Sequence, residues 1–188
     1  MRRGFKAWCE RTSIEYRQSF GLDGSPRFEP DRLANDLGVT LLQPEELPDI
    51  PQASLHQLLV EDPNSWSAVT VEANSHTITV INSTHSEVRQ RSSLCHELSH
   101  IILNHKPGRV DLSKEGHILL HSYDKSQEEE ANWLSGTLLV PRELLSREYF
   151  KNPSEAELAD RFGVSHDLLT WRLRMTGVLA QARRRRRQ

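Results

Sequence analysis

Apolar positions recur at helical spacing through the first twenty residues, where Phe5, Trp8, Cys9, Tyr16 and Phe20 precede the turn-rich "GLDGSP". This predicts an N-terminal helix that ends at Gly21. In "EPDRLANDLGVTLLQP", Leu33, Ala34 and Leu37 stand ahead of a stopping glycine and the β-prone "VTLLQ", so a helix followed by a strand is expected. The proline-rich "PEELPDIPQ" reads as a connector. "SWSAVTVEANSHTITVIN" alternates with period two about the turn-like "ANSH", as a β-hairpin does.

A long helix is predicted from Ser83 or Thr84, with Glu87 placed for a capping box and Val88, Leu94, Cys95, Leu98, Ile101 and Ile102 as its buried stripe. "NHKPG" ends it and a polar loop follows. "SQEEEANWLSGTLLVP" predicts a second core helix built on Ala131, Trp133, Leu134 and Leu138, stopped by Pro141, with an acidic start that suits a helix N-terminus. Finally "NPSEAELADRFGVSHDLLTWRLRMTG" shows two helical patterns parted by Phe162 to Ser165, with Ser154 and Ser165 as N-caps and Gly163 as the turn residue. That is a helix-turn-helix silhouette.

Composition narrows what these elements can build. A chain of 188 residues with 36% hydrophobic content buries one core and a small appendage. We expect a domain over 1–150, a helical segment over 151–178 packed on it, and a basic, disordered tail over 179–188. The formal net charge is -2, and removing the five positive charges of Arg183 to Arg187 leaves -7 on the rest, so the body is mildly acidic. Only Cys9 and Cys95 occur, and no apolar segment follows the basic "MRRGFK" opening, so a cytoplasmic protein is expected rather than a disulfide-built secreted one. No run approaches the eighteen or so apolar residues of a membrane span.

The chemistry lies in "SLCHELSHIILNH". Residues on an α-helix advance by about 100°, so His96 and His100 share a face one turn apart and can converge on one ion. Catalytic zinc takes three protein ligands and leaves the fourth position to water. Glu97, one residue beyond the first histidine, is placed to take a proton from that water and pass it to a leaving amine, which is the H-E-x-x-H arrangement. On a core helix these polar groups need partners, and a metal satisfies several at once.

The third ligand must come from elsewhere, because Lys106 stands where a metzincin would place its third histidine and His105 is one residue short. "EEEAN" is the best source. Glu130, followed by small Ala131, is the expected ligand, Glu129 its first substitute, and Glu128 with Glu129 otherwise a solvated helix start. His117 and His121 share a four-residue spacing without an intervening glutamate and read as structural or surface groups, with a substrate or oxyanion contact second. Tyr123 and Tyr149 are candidate oxyanion donors, with core packing as the ordinary alternative. Cys95 reads as a packed core thiol.

Taken from "FEPDRLANDLGV" through the hairpin, "INSTHSEVRQRSSLCHELSHIILNH" and "EEEANWLSGTLLVP" to "GVSHDLLTWRL", the sequence resembles the ImmA/IrrE family of gluzincin-like metallopeptidases. The resemblance implies an α+β, zincin-like fold with a small β-sheet packed on the HExxH helix and a C-terminal helical segment. It implies Zn2+ held by His96, His100 and Glu130, with Glu97 as acid/base. The implied activity is cleavage of a helix-turn-helix transcriptional repressor, often in the service of bacterial mobile elements or stress responses. Cys95 after Leu94, where many members show Leu-Ala, and Ser99, where glycine is common, depart from the pattern without removing a ligand.

Two other classes of function compete. A structural zinc site would suit a regulator or toxin-antitoxin partner, but it has no need of Glu97. Direct DNA binding is suggested by Arg172, Arg174 and Arg183 to Arg187 near the helix-turn-helix silhouette, although Val164, Leu168, Leu169 and Leu173 there form a buried face.

Overall fold

The computed structural model describes backbone and side chains for residues 1–72, 76–105 and 124–185, and backbone alone for 73, 109–112 and 118–121. The chain opens with helix α1 (Phe5–Ser19), entered through Gly4 in the left-handed region at φ 83°. Helix α2 (Pro30–Asp36) has proline at its first turn, where the missing N–H costs nothing. Gly38, at φ 69°, then turns the chain into strand β1 (Val39–Leu42). The connector holds a 3-10 turn at Pro44–Glu46 and is followed by a short helix that the sequence pattern does not announce. This is α3 (Gln52–His56), which widens into a π-helical turn over Gln57–Glu61. Its residues are exposed or only partly buried, so no clean apolar period marks it.

Strands β2 (Ala68–Ala73) and β3 (His76–Ile81) pair antiparallel as the alternation predicts, and β1 joins β3 in parallel to give the order β1-β3-β2. The turn at 74–75 lies outside the described residues. Thr70 and Thr79 are cross-strand partners whose hydroxyls meet at 2.9 Å. The sheet packs on helix α4 (Glu87–Ile102), which carries the HExxH stretch.

Helix α4 begins two or three residues later than expected. Ser86, not Ser83 or Thr84, is its N-cap, its hydroxyl accepting from the Arg89 N–H at 3.4 Å. Asn82 explains the delay, because its side-chain oxygen takes the Thr84 N–H and hydroxyl and holds that stretch in a turn. Leu94, Cys95 and Leu98 are fully or almost fully buried. Each such leucine contributes about 1.5–3 kcal/mol relative to exposure. The segment expected as a polar loop instead contains an antiparallel ribbon, β4 (Arg109–Leu112) with β5 (Ile118–His121).

Helix α5 (Lys125–Leu139) starts on Asp124, whose carboxylate accepts from the Ser126 and Gln127 N–H groups at 2.9 and 3.4 Å, and it packs on α4 and α1. Small residues permit the close approach: the Ser13 hydroxyl donates to the Thr137 carbonyl at 3.0 Å. Two buried arginines satisfy the carbonyls at the end of α5, which the helix itself leaves open. Arg17 donates to Leu138 and Leu139 at 3.0 and 3.2 Å, and Arg172 donates to Val140 at 2.9 Å while pairing with Glu10 at 2.7 Å.

Helices α6 (Arg142–Tyr149), α7 (Glu155–Phe162), α8 (His166–Met175) and α9 (Val178–Arg185) complete the chain. Ser154 forms a capping box with Glu157, Ser165 caps α8, and Gly163 between them is left-handed at φ 65°, as the sequence pattern predicts. Arg91 of α4 reaches this turn, donating to the Gly163 carbonyl at 3.3 Å and to Phe28, and pairs with Glu29 at 3.0 Å. Leu158, Phe162, Leu169 and Leu173 share one core with Leu94, Leu98 and Leu134, so the described helices after residue 150 build on that same core.

The disordered tail expected over 179–188 is helical as far as it is described. Val178 and Ala182, one turn apart, are buried and seat α9 beside α6 and α8, so Arg183 to Arg185 extend a packed helix. Arg186 and Arg187 lie outside the described residues. Among those described, no helix is long and apolar enough to cross a membrane.

Candidate metal centre and catalytic carboxylate

The 100° advance of α4 brings the two histidines together as expected: His96 Nε2 and His100 Nε2 stand 3.1 Å apart, their rings crossing at 67°. The carboxylate that joins them is Glu128. Its Oε2 lies 3.2 Å from His96 Nε2 and its Oε1 lies 3.3 Å from His100 Nε2. Donors bound at about 2.0–2.1 Å around a tetrahedral ion stand about 3.3 Å from one another, so the spacing fits a single small cation of the zinc type. Among the described residues this trio is the one group of His, Cys, Asp or Glu donors gathered closely enough for a metal.

Glu130, the expected third ligand, is not brought to this point. It is buried, and its Oε2 lies 3.7 Å from His105 Nε2. The reason is helical phase. Glu128 shares a face of α5 with Ala131 and Ser135, the face on which Cys95 of α4 packs, its thiol 3.6 Å from the Ser135 carbonyl. Glu130, about 200° further round, shares a face with Trp133, Leu134 and Thr137. Small residues at three and seven positions after Glu128 were the available signal. Glu129 is exposed.

Glu97 lies between the trio and the sheet. The Thr70 hydroxyl of β2 donates to Glu97 Oε2 at 2.8 Å, a positioning contact that no motif reveals. Burial raises the Glu97 carboxyl above its ordinary pKa, while the Thr70 hydrogen bond and the nearby His96 pull it down and Glu128 adds to the rise. Burial, then His96, lowers His100 from 6.5 to about 4 against the opposing pull of Glu128, so its imidazole is neutral and able to ligate at physiological pH.

Tyr149 packs at the edge of the core against Phe150. His121 ends β5 opposite Arg109, and Tyr123 and His117 lie outside the described residues. Cys95 is fully buried, and burial drives its thiol up to about 12, as suits a packed core group.

Residues 59–174, well over half of the chain, match the family model described as "Peptidase M78: IrrE N-terminal-like domain". The chain belongs to that family, whose name is that of a peptidase. No curated protein matches the chain. Among solved structures it is similar to a Mycobacterium tuberculosis transcriptional regulator, with a TM-score of 0.52 and 14% identity, covering 92% of this chain and 46% of that one. The present chain thus spans about half the length of that protein, and at such identity the likeness concerns the fold.

Proposed function

We propose that the protein is a zinc-dependent endopeptidase of narrow specificity that cleaves a helix-turn-helix transcriptional repressor. The observation that carries the reading is the convergence of His96, His100 and Glu128 at 3.1–3.3 Å with Glu97 held beside them by Thr70. A structural metal site has no use for a second acid held apart from the ligands. The M78 membership supports peptidase chemistry, and the repressor as substrate follows from the resemblance to the ImmA/IrrE family.

His96, His100 and Glu128 would hold the ion. When bound, zinc supplies a Lewis acid that polarises the scissile carbonyl and makes a nucleophile available near neutral pH. Glu97 accepts the proton of the attacking water at its carboxylate, and burial, which raises its proton affinity, suits it to hand that proton to the departing amine nitrogen. Thr70 holds the carboxylate in place through this cycle.

The test separates binding from chemistry. Glu97→Gln keeps the shape and should retain one zinc per chain while losing cleavage of the repressor encoded beside the gene into discrete fragments. Undiminished cleavage by that variant would refute the role of Glu97, whereas absence of cleavage by the zinc-loaded wild type would favour a zinc-binding regulator without proteolysis.

A further inference from the structure

We propose that His105 and Glu130 form a positioning relay behind His100, fixing the ring that faces the metal; the proposal rests on the reading that His96, His100 and Glu128 hold zinc. The relay begins with the way α4 ends. Leu103 closes the helix, Asn104 turns left-handed at φ 51°, and the N–H groups of Asn104 and His105 donate to the carbonyls of Ile101 and His100 at 2.9 and 3.0 Å. This is the paired closure of a Schellman motif, which reverses the chain within two residues and satisfies two open carbonyls. Asparagine is among the few residues that enter the left-handed region readily.

The reversal carries the His105 side chain back against the helix. Its Nδ1 lies 3.0 Å from His100 Nδ1, with the rings crossing at 70°. Behind it, His105 Nε2 faces Glu130 Oε2 at 3.7 Å, and these two side chains are only 7% and 11% exposed. Glu130, which does not reach the metal centre, thus has the His105 ring as its neighbour in the interior, at a distance longer than a direct hydrogen bond.

One arrangement of protons serves all three groups. His100 must present the Nε2 lone pair to the ion, so its proton resides on Nδ1 and is donated to His105 Nδ1. The His105 proton then resides on Nε2, directed at the acceptor-only carboxylate of Glu130. Outer partners of this kind fix a ligand's tautomer and orientation and raise its basicity, and their loss typically weakens metal binding by about 10–100-fold. Neither His105 nor Glu130 touches the reacting atoms, so both are positioning residues.

The experiment is a zinc titration of the purified full chain against a chromophoric chelator, with the absorption spectrum of the cobalt-substituted protein as a second readout. His105→Ala should weaken zinc about 10–100-fold at unchanged stoichiometry, and Glu130→Gln about tenfold. The double variant should lose little more than His105→Ala alone, because both changes cut one chain. His105→Asn, which keeps an acceptor where Nδ1 stands, should recover most of the affinity. The cobalt bands should shift in the weakened variants and not in His105→Asn, an outcome that simple loss of packing would not give.

Wild-type zinc affinity in folded His105→Ala and Glu130→Gln overturns the relay and leaves the metal centre standing. Loss of the metal in Glu130→Gln with full affinity in Glu128→Ala makes Glu130 the ligand and overturns the relay with the ligand assignment. Absence of zinc binding by the wild type removes the metal reading and the relay together. Should His105→Ala fail to fold, Glu130→Gln and His105→Asn decide.

Discussion

Thr70 of β2 donates a 2.8 Å hydrogen bond to Glu97 of α4, and the Thr79 hydroxyl stands 2.9 Å behind it on β3. A carboxylate only accepts, so the single Thr70 proton goes to Glu97 and Thr79 donates to Thr70. The sheet thus reaches Glu97 through a chain of two hydroxyls. Thr70→Val, close in shape, should leave zinc stoichiometry intact and lower the cleavage rate by about 10–100-fold, as misplacement of a catalytic group does. With the donor gone, burial raises Glu97 further, so the acidic limb of the pH profile should move to higher pH, and Thr70→Ser should restore it. An unchanged rate and limb in Thr70→Val would show that α4 alone positions Glu97.

The metal-free protein should lose stability on mild acidification because of His100. Its pKa falls from 6.5 to about 4 on folding, chiefly by burial. Between those values the unfolded chain binds the extra proton, so stability is full above about pH 6.5 and declines as pH drops towards 4. The shift corresponds to at most about 3–4 kcal/mol. Glu97 works in the opposite sense, since its raised pKa makes the folded state take up the proton first. Comparing Tm against pH for the apoprotein and for His100→Gln isolates the histidine. Parallel curves for the two proteins would contradict the account.

The placement of His96, Glu97 and His100 was legible because one helix period decides it, and each residue of the motif is close in sequence to the next. Ser154, Gly163 and Ser165 were legible for the same reason, since cap chemistry is local. The third carboxylate was not. Three consecutive glutamates offer three phases, and which one faces α4 depends on how two helices distant in sequence approach each other. Ala131 and Ser135 carried that information only once α4 was known to pack on their face. Thr70 and His105 depend on sheet register and on a left-handed Asn104, neither of which a polarity pattern contains. The run of arginines looked like a solvated end because its charges repel, yet Val178 and Ala182 just before it supply a buried ridge that keeps Arg183 to Arg185 helical.

Gly136 of α5 should tolerate no side chain, although it sits in mid-helix, where glycine is ordinarily a weak choice. A methyl group there would meet the Trp171 ring of α8 at 2.6 Å. Trp171 crosses Trp133 at a centroid distance of 5.4 Å, so this contact seats the C-terminal helices on α5. Gly136→Ala gains about 1 kcal/mol of helix propensity but overpacks the contact at a cost of about 1–3 kcal/mol. The expected net result is a lower denaturation midpoint, with the loss relieved by Trp171→Leu in the same chain. A midpoint above that of the wild type would mean that α8 is free to shift.

Arg183 and Arg184 are exposed on α9, and Arg185 lies over the Phe150 ring at 4.2 Å, so the charges are presented by a packed helix. Such a row suits a polyanion, and under the proposed function binding to duplex DNA would concentrate the protein near a DNA-bound repressor. Each phosphate contact releases counterions, so affinity should fall with a slope of about 0.9 per contact in log salt and should not depend on base sequence. Replacing Arg183, Arg184 and Arg185 by glutamine keeps helix propensity while removing three charges, and it should flatten that slope by about 2–3. Cleavage of free repressor should persist, because His96, Glu97, His100 and Glu128 all lie on α4 and α5. Salt-insensitive duplex binding shared equally by both proteins would reject recruitment through α9, and loss of cleavage in the glutamine variant would place these arginines in substrate recognition instead.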